Sequence, residues 1–225
     1  MSETFELLHL ADLSDDQLAE AYAPRGEPWL RVNFVSTADG AATGSDGLST
    51  SINDDADGRV FAALRAQADC LVVGAGTVRE EEYAVPPIPI VVVSRSADVP
   101  PSLREAPRGR VLMATTAGAD GLEEARDLLG HEQVLVLGEE EIDLVALKAE
   151  LLSRGWVVQL CEGGPSLFAD LLSAGVVDEL CWTVVPRLVG GDAVRIATGA
   201  EVDVRLRPVL LLEQDGTLLG RWLVE

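Results

Sequence analysis

Short apolar runs alternate with helix-like segments along most of the chain, and this alternation constrains its fold more than any other feature. Runs typical of strands occupy residues 30–36, 69–73, 88–93, 111–114, 134–137, 156–160 and 179–185. Helical spacing or helix-start signals occur at residues 54–67, 121–129, 144–153 and 165–174. Strands joined through helices pair in parallel, and the helices then cover the faces of the sheet. The pattern predicts an α/β fold.

The end of the chain has a different pattern. Asp215 and Gly216 lie between two strand-like runs at 206–213 and 217–224. Asp-Gly between two such runs is a strong signal for an antiparallel hairpin. We therefore predict a three-layer α/β/α fold whose mixed sheet ends in a C-terminal hairpin, with a single domain over residues 29–225.

The first 28 residues precede the earliest confident strand and are predicted to form an N-terminal extension. Ser14 and Gln17 have the spacing of a capping box, which indicates a short helix in this segment. Pro24, Gly26 and Pro28 then interrupt regular structure before the strand begins.

Charge and cysteine content limit the partners and the location of the chain. The net charge is −21, from 17 basic and 38 acidic side chains, so we expect neither nucleic acid nor an anionic membrane as a partner. The three cysteines are odd in number and widely spaced, which predicts free thiols, without disulfides and without a metal site. There is no signal-peptide pattern and no apolar run long enough to span a bilayer, so we expect a cytoplasmic protein.

Two glycine-containing turns follow predicted strands. Gly74, Gly76 and Thr77 form the first, which is an incomplete dinucleotide-binding fingerprint because Arg79 stands where the third glycine belongs. Residues 162–166, Glu-Gly-Gly-Pro-Ser, form the second and open a helix. Either turn alone fits an ordinary strand-to-helix connection. Together, at the carboxyl ends of two strands, they favour a bound dinucleotide.

Other polar residues near these turns are weaker candidates. Asp39 ends the first strand in an Asp-Gly pair and either relays a proton or simply forms a turn. Arg59, Arg65 and Arg79 flank the first glycine turn and either bind phosphate or form surface ion pairs. No Ser-His-Asp set or phosphate-binding Walker motif occurs, so a cofactor is expected to carry the chemistry.

Several of these segments occur in the order found in one known family. They are VNFVSTADG at 32–40, LRA at 64–66, DCLVVGAGTV at 69–78, CEGGPSL at 161–167, VVDEL at 176–180 and PRLVG at 186–190. In this series, which covers residues 30–192, the chain resembles the reductase domain of the bifunctional riboflavin-biosynthesis deaminase-reductase and its single-domain relatives. The resemblance implies a dihydrofolate-reductase-like fold and a homodimer.

The resemblance also implies a reaction and a set of site residues. NADPH would reduce the ribose of 5-amino-6-(5-phosphoribosylamino)uracil, or of a related small pyrimidine, to ribitol. Asn33, Arg65 and Glu162 would bind the substrate, with Arg65 on its phosphate, and Asp39 would lie near the nicotinamide as the catalytic proton relay. The implied cofactor contacts are Gly74, Gly76, Thr77, Ser94, Gly163, Gly164, Pro165, Ser166 and Leu167.

The chain departs from the family pattern after the first glycine turn. The family usually has Asp-Asp-Pro where this chain has Glu81-Glu82-Tyr83, and an Arg expected soon afterwards has no counterpart in residues 84–90. Leu48 also replaces a frequent Trp. Two alternatives therefore stay open: a dihydrofolate-reductase-like pterin reductase that uses Asp39 or Glu162 to bind its heterocycle, and a non-catalytic NADP(H)-binding protein.

Overall fold

The computed structural model describes residues 7–199 and 201–225, which form ten strands and six α-helices. The strands are β1 (Leu7–His9), β2 (Trp29–Thr37), β3 (Cys70–Gly74), β4 (Ile90–Val93), β5 (Val111–Thr115), β6 (Val134–Val136), β7 (Val158–Cys161), β8 (Glu179–Val185), β9 (Leu206–Gln214) and β10 (Thr217–Val224). The helices are α1 (Asp15–Ala21), α2 (Asp55–Gln67), α3 (Ala75–Glu80), α4 (Leu122–Leu129), α5 (Leu144–Ser153) and α6 (Pro165–Ser173).

All ten strands belong to one sheet, in the order β1-β9-β10-β8-β2-β7-β3-β4-β5-β6. Every neighbouring pair is parallel except the two pairs made by β10, which runs against β8 and β9. The predicted mixed sheet and its C-terminal hairpin at Asp215 and Gly216 are therefore confirmed.

Two apolar cores lie on opposite faces of this sheet. Because successive strand residues point to opposite faces, Leu71 and Val73 of β3 enter one core while Cys70 and Val72 enter the other. Buried residues of α1, α2, α3 and α4 complete the first core, and those of α5 and α6 complete the second. The strands read as unbroken apolar runs because both of their faces are buried.

The N-terminal segment is more closely integrated into the domain than the prediction of an extension suggests. The predicted short helix is present as α1, and its capping box joins Ser14 and Gln17. Strand β1 pairs with β9, and Leu10, Leu18 and Tyr22 are buried in the first core. A domain boundary at residue 28 stays a prediction.

Arg59 is one reason for this integration. Its guanidinium donates hydrogen bonds to the carbonyls of Leu10, at 2.9 Å, and Leu13, and it pairs with Asp15. Arg59 therefore holds the N-terminal segment against α2, which agrees with the ion-pair alternative and not with phosphate binding.

A buried charge network joins the N-terminal segment to the middle of the sheet. Arg31, Glu179 and Arg221 lie on β2, β8 and β10, and their side chains are at most 3% exposed. Arg221 donates to Glu179 at 2.8 Å, and Arg31 Nη2 lies 3.7 Å from the other carboxylate oxygen. The two arginines also donate to the carbonyls of Ala21, Tyr22 and Ala23 at the end of α1. The network connects three strands with the end of α1. Its arginines supply the hydrogen-bond donors that the carbonyls there would lack in a purely apolar core.

The thiols of Cys70, Cys161 and Cys181 are buried and unpaired, as predicted. Burial raises the pKa of the Cys70 thiol to about 12 and that of the Cys161 thiol to about 12, so both remain protonated. Across the described ranges, no helix is both long and apolar enough to cross a membrane, and no group of three metal-ligating side chains comes together.

Candidate cofactor and substrate site

The two predicted glycine turns meet at the carboxyl edge of the sheet, because β3 and β7 are neighbours. The amide of Gly74 donates to the carbonyl of Gly163 at 2.9 Å. A Cβ atom on Gly74 would lie 3.3 Å from the Gly164 nitrogen, and one on Gly164 would lie 2.5 Å from Thr77 Oγ1. A side chain at Gly74 would crowd the backbone of the second turn, whereas one at Gly164 would require only the Thr77 side chain to move, so it is glycine at position 74 that favours the close contact of the two turns.

A cleft of about 1050 Å³ opens beside the joined turns. Eight of the nine residues that the family resemblance assigns to the cofactor line it; they are Gly74, Gly76, Thr77, Ser94, Gly164, Pro165, Ser166 and Leu167. The ninth, Gly163, is absent from the lining, and its carbonyl instead accepts the hydrogen bond from Gly74. The volume is at the upper end of the range for small-molecule and cofactor sites.

The wall of the cleft includes the N-terminus of α6. This helix begins at Pro165 after Gly164, and no side chain caps it. Proline at the first position has no N–H, but the amides of Ser166 and Leu167 lie in the first turn and have no partner within the helix. Uncapped amides and the helix dipole together attract an anion such as a phosphate group.

Two arginines bring positive charge to this cleft. Arg79 comes from α3, and Arg95 follows β4 between Ser94 and Ser96. Neither forms an ion pair within the part of the chain that the structure describes. The sequence analysis did not identify Arg95, although a Ser-Arg-Ser stretch directly after a buried strand could have indicated an anion-binding residue. The lining also includes four acidic residues, Glu80, Glu141, Asp143 and Asp170.

The two residues predicted to bind the substrate's polar groups bind each other. Arg65 Nε and Nη2 donate to the two oxygens of Glu162 at 2.6 and 2.7 Å, a bidentate pair. The hydroxyl of Tyr83 donates to Glu162 Oε2 at 3.0 Å. The Glu162 side chain is only 2% exposed. Hydrogen bonding to this carboxylate raises the pKa of Arg65, and burial followed by the charge of Glu162 raises the pKa of Tyr83.

Asn33 borders this cluster from the neighbouring strand. It follows Val32, which pairs in register with Cys161, so Asn33 stands beside Glu162. Asn33 is buried, at 8% exposed. The three predicted substrate residues, on β2, α2 and the end of β7, therefore converge on one side of the sheet.

Asp39 lies apart from this convergence. Its carboxylate accepts hydrogen bonds from the amides of Gly190, at 2.7 Å, and Val189, at 3.2 Å, and from the hydroxyl of Thr37. The Thr37 hydrogen bond first, and then that of Gly190, lower the pKa of Asp39. Asp39 is exposed and does not line the cleft. A carboxylate held ionised in this way braces the loop at 186–190, and its role as a proton relay stays a prediction.

A buried carboxyl group on α2, the helix that carries Arg65, was missed by the sequence analysis. Asp57 is 3% exposed on α2, and its Oδ1 atom has no hydrogen-bond partner among the described residues. Burial raises the pKa of Asp57 to about 6, against the opposing effect of a hydrogen bond from Thr183. Asp57, Phe61 and Arg65 are four residues apart and share one helix face. An acidic residue in a first helical turn normally indicates only a favourable dipole interaction, so sequence alone did not distinguish Asp57.

Replacing Asp57 by Asn is expected to remove a pH-dependent loss of stability. The folded state holds the Asp57 proton more tightly than the unfolded state, so stability is greatest at low pH and is lost as the pH rises through about 6. With an unfolded pKa of about 3.9, this group accounts for about 2 kcal/mol between pH 4 and pH 8. Denaturant unfolding of wild type and Asp57→Asn at both pH values measures the difference. Asp55→Asn, at an exposed position in the same turn, is the matched control. The same change in the free energy of unfolding between the two pH values in wild type and Asp57→Asn would contradict the prediction.

Comparison with known proteins adds family and fold to this geometry. The RibD C-terminal domain family matches residues 28–217. Over 183 residues the chain is 30% identical to the 2,5-diamino-6-ribosylamino-4(3H)-pyrimidinone 5′-phosphate reductase of Archaeoglobus fulgidus. This alignment covers 73% of this chain and 83% of that protein. The name of this relative agrees with the pyrimidine reductase interpretation and not with the pterin alternative.

Solved structures support the fold. A pyrimidine reductase-like protein from Corynebacterium diphtheriae superimposes with a TM-score of 0.82 at 23% identity, over 95% of this chain and 99% of that chain. Dihydrofolate reductase from Enterococcus faecalis, complexed with NADP(H) and RAB-propyl, superimposes with a TM-score of 0.50 at 15% identity, over 88% of this chain and 98% of that chain. At these identities the likeness shows the fold alone, and it confirms the predicted dihydrofolate-reductase-like architecture.

Proposed function

Because the chain belongs to the RibD C-terminal domain family, we propose that it is an NADPH-dependent reductase that converts the ribose of a ribosylaminopyrimidine to ribitol. The observation that carries this proposal is the meeting of the two glycine turns beside a cleft that eight of the nine expected cofactor residues line. The protein acts on a small molecule, and we further propose that it is a cytoplasmic homodimer.

The residues present fit a dinucleotide phosphate. Without side chains at Gly74 and Gly164 the backbone can approach a ligand closely, and the uncapped amides of Ser166 and Leu167 suit its pyrophosphate. Ser94 and Arg95, which also line the cleft, suit a further phosphate of the cofactor. When bound, the nicotinamide supplies the hydride that reduces the sugar.

The substrate residues border the cofactor residues along the chain. Glu162 directly precedes the second glycine turn and pairs with Arg65, and Asn33 is the next residue after the Val32–Cys161 pair on the neighbouring strand. A pyrimidine held by these side chains would lie beside the turn that holds the cofactor. Orientation of the two reactants is the main contribution that such a site makes, because the hydride comes from the cofactor.

Turnover by the purified chain tests this proposal. We expect oxidation of NADPH, followed by loss of nicotinamide absorbance, in the presence of a ribosylaminopyrimidine. Mass spectrometry of the product should show the gain of two hydrogen atoms. NADPH binding without any turnover would support the non-catalytic alternative, and no binding of NADPH would contradict the assignment of the cleft.

Replacing Arg95 by Gln is expected to reduce the preference for NADPH over NADH by about tenfold, because the two cofactors differ by one phosphate group. Arg95 supplies positive charge in a cleft that also contains Glu80 and Glu141. Titration calorimetry with each dinucleotide measures the preference. Arg108→Gln removes the same charge from an exposed position outside the cleft lining and is the matched control. Equal losses of affinity for both dinucleotides would refute a role for Arg95 in phosphate selection.

A further inference from the structure

We propose that Tyr83 is a positioning residue for the substrate, which acts by holding Arg65 and Glu162 in one orientation. This inference rests on the proposed function, in which Arg65 and Glu162 bind the ribosylaminopyrimidine. Tyr83 lies where the chain departs from the Asp-Asp-Pro pattern of the family, so the resemblance assigns it no role.

Tyr83 contacts both members of the pair. Its hydroxyl donates to Glu162 Oε2 at 3.0 Å, and the same oxygen accepts from Arg65 Nη2 at 2.7 Å. The centre of its ring lies 5.9 Å from the Arg65 guanidinium carbon, and the Phe61 ring of α2 lies 4.4 Å from the same carbon. The guanidinium is therefore within cation–π distance of two aromatic rings, while one of these residues also binds its carboxylate partner.

The Tyr83 hydroxyl is suited to this role because it stays a donor. Burial, followed by the charge of Glu162, raises the pKa of Tyr83, so the phenol remains protonated. An ionised carboxylate can only accept hydrogen bonds. Among the described residues the Glu162 carboxylate accepts from Arg65 and Tyr83 alone, and its side chain is only 2% exposed. Loss of the hydroxyl would leave a buried carboxylate with a single partner, which is unfavourable and loosens the pair.

The main chain keeps Tyr83 at a fixed place relative to the cofactor turn. Helix α3 begins at Ala75 within the first glycine turn, and the amide of Tyr83 donates to the carbonyl of Val78 in that helix at 3.1 Å. Glu82 has φ 48°, a left-handed conformation that is uncommon for a residue with a side chain. Such a conformation persists where the surrounding contacts determine it, and here it directly precedes Tyr83. The substrate pair thus has a constant position beside the residues that line the cofactor cleft, as orientation of two reactants requires.

The orientation that Tyr83 maintains leaves one edge of Arg65 free for the substrate. Glu162 binds Nε and Nη2, and Nη1 has no hydrogen bond to any described residue. The Arg65 side chain is 35% exposed, so a ligand can reach this edge. The remaining N–H groups of Nη1 and Nη2 point the same way and suit two oxygens of a phosphate group. A guanidinium that is already held loses less side-chain entropy when the phosphate binds.

Steady-state kinetics of Tyr83→Phe, with saturating NADPH and a phosphorylated ribosylaminopyrimidine, tests the inference. We expect KM for the pyrimidine to rise about tenfold while kcat changes by less than about twofold, because the hydroxyl supports binding and not hydride transfer. Tyr22→Phe removes the chain's other tyrosine hydroxyl, beside Arg221 in the first core, and should leave KM unchanged.

Two kinetic results would overturn the inference. An unchanged KM in Tyr83→Phe would mean that the phosphate binds elsewhere, for instance at Arg187, which donates to the carbonyl of Ser51. A fall in kcat with an unchanged KM would mean that Tyr83 acts at the reacting atoms.

A double-mutant cycle shows whether Tyr83 acts through Glu162. Adding Tyr83→Phe to Glu162→Gln should raise KM by less than about twofold beyond Glu162→Gln alone, because the ionised partner of the hydroxyl is already gone. Additive effects of the two substitutions would mean that Tyr83 contacts the substrate itself, and would contradict a positioning role.

A third measurement needs neither turnover nor substrate. The Nε–H group of Arg65 can be identified in a ¹⁵N NMR spectrum by its loss in Arg65→Lys. We expect an order parameter of about 0.85 in the wild type, as in a rigid backbone, and of about 0.6 or less in Tyr83→Phe. Equal order in the two proteins would overturn the inference. If no pyrimidine reacts, the proposed function fails, while this spectrum still decides whether Tyr83 holds Arg65.

Discussion

Replacing Gly164 by Asp is expected to abolish NADPH binding, with an affinity loss of about a thousandfold, or ~4 kcal/mol. Gly164 precedes the first turn of α6, where an Asp side chain accepts hydrogen bonds from the amides of the second and third helical residues. Those amides belong to Ser166 and Leu167, which we propose hold the cofactor phosphates. The new carboxylate would therefore occupy the phosphate position and repel the cofactor's negative charge.

The same substitution should leave the chain folded. The backbone at Gly164 has φ −74°, which suits any residue, and Asp is a favourable helix cap. Its Cβ would come within 2.5 Å of Thr77 Oγ1, which is the end of a side chain that can rotate away. Circular dichroism should show a native spectrum while titration calorimetry shows no NADPH binding. Gly164→Ala adds the Cβ without the charge and is expected to bind with an intermediate affinity, so wild-type affinity in Gly164→Asp would disprove the site.

Local patterns allowed much of the fold to be predicted. The apolar run at 179–185 coincides with β8, and the Asp-Gly turn lies between β9 and β10 as expected. Each signal depends on residues close together in sequence, such as a strand with two buried faces or a turn that needs a positive φ. Strand β1 was missed because three residues show no periodicity, and they pair with β9 some 200 residues later.

In the candidate site too, local motifs could be predicted from the sequence, whereas contacts between distant residues could not. The glycine turns could be recognised because each is a compact motif, whereas their contact depends on the adjacency of β3 and β7. The pairing of Arg65 with Glu162 spans 97 residues, and nothing in either local sequence indicates it. Asp57 was overlooked because its burial depends on packing against the sheet, which the sequence around it does not reveal. Long-range contacts thus changed the interpretation of the substrate residues more than that of the cofactor residues.

Long-range contacts also created the buried network of Arg31, Glu179 and Arg221, and its disruption should have the largest effect on stability. Glu179→Ala is expected to lower the free energy of unfolding by about 3–5 kcal/mol, because two arginines would remain buried without their carboxylate. Among the described residues, Arg31 Nε and Nη1 and Arg221 Nε already have no hydrogen-bond partner, so little alternative compensation is available. Trp29 Nε1, which donates to Glu179 at 2.9 Å, would also lose its acceptor.

Denaturant unfolding at neutral pH measures this effect. Glu150→Ala breaks an exposed pair with Arg154 and is expected to cost at most about 1 kcal/mol, so it separates loss of a buried charge from loss of any ion pair. Glu179→Gln keeps the shape and an acceptor oxygen, and should fall between Glu179→Ala and wild type. If Glu179→Ala lost no more free energy of unfolding than Glu150→Ala, the two arginines would have to be hydrated in the variant. The network would then not hold the N-terminal segment against the sheet. The large expected difference follows from burial, because the same pair of charges at the surface would be hydrated before and after the substitution.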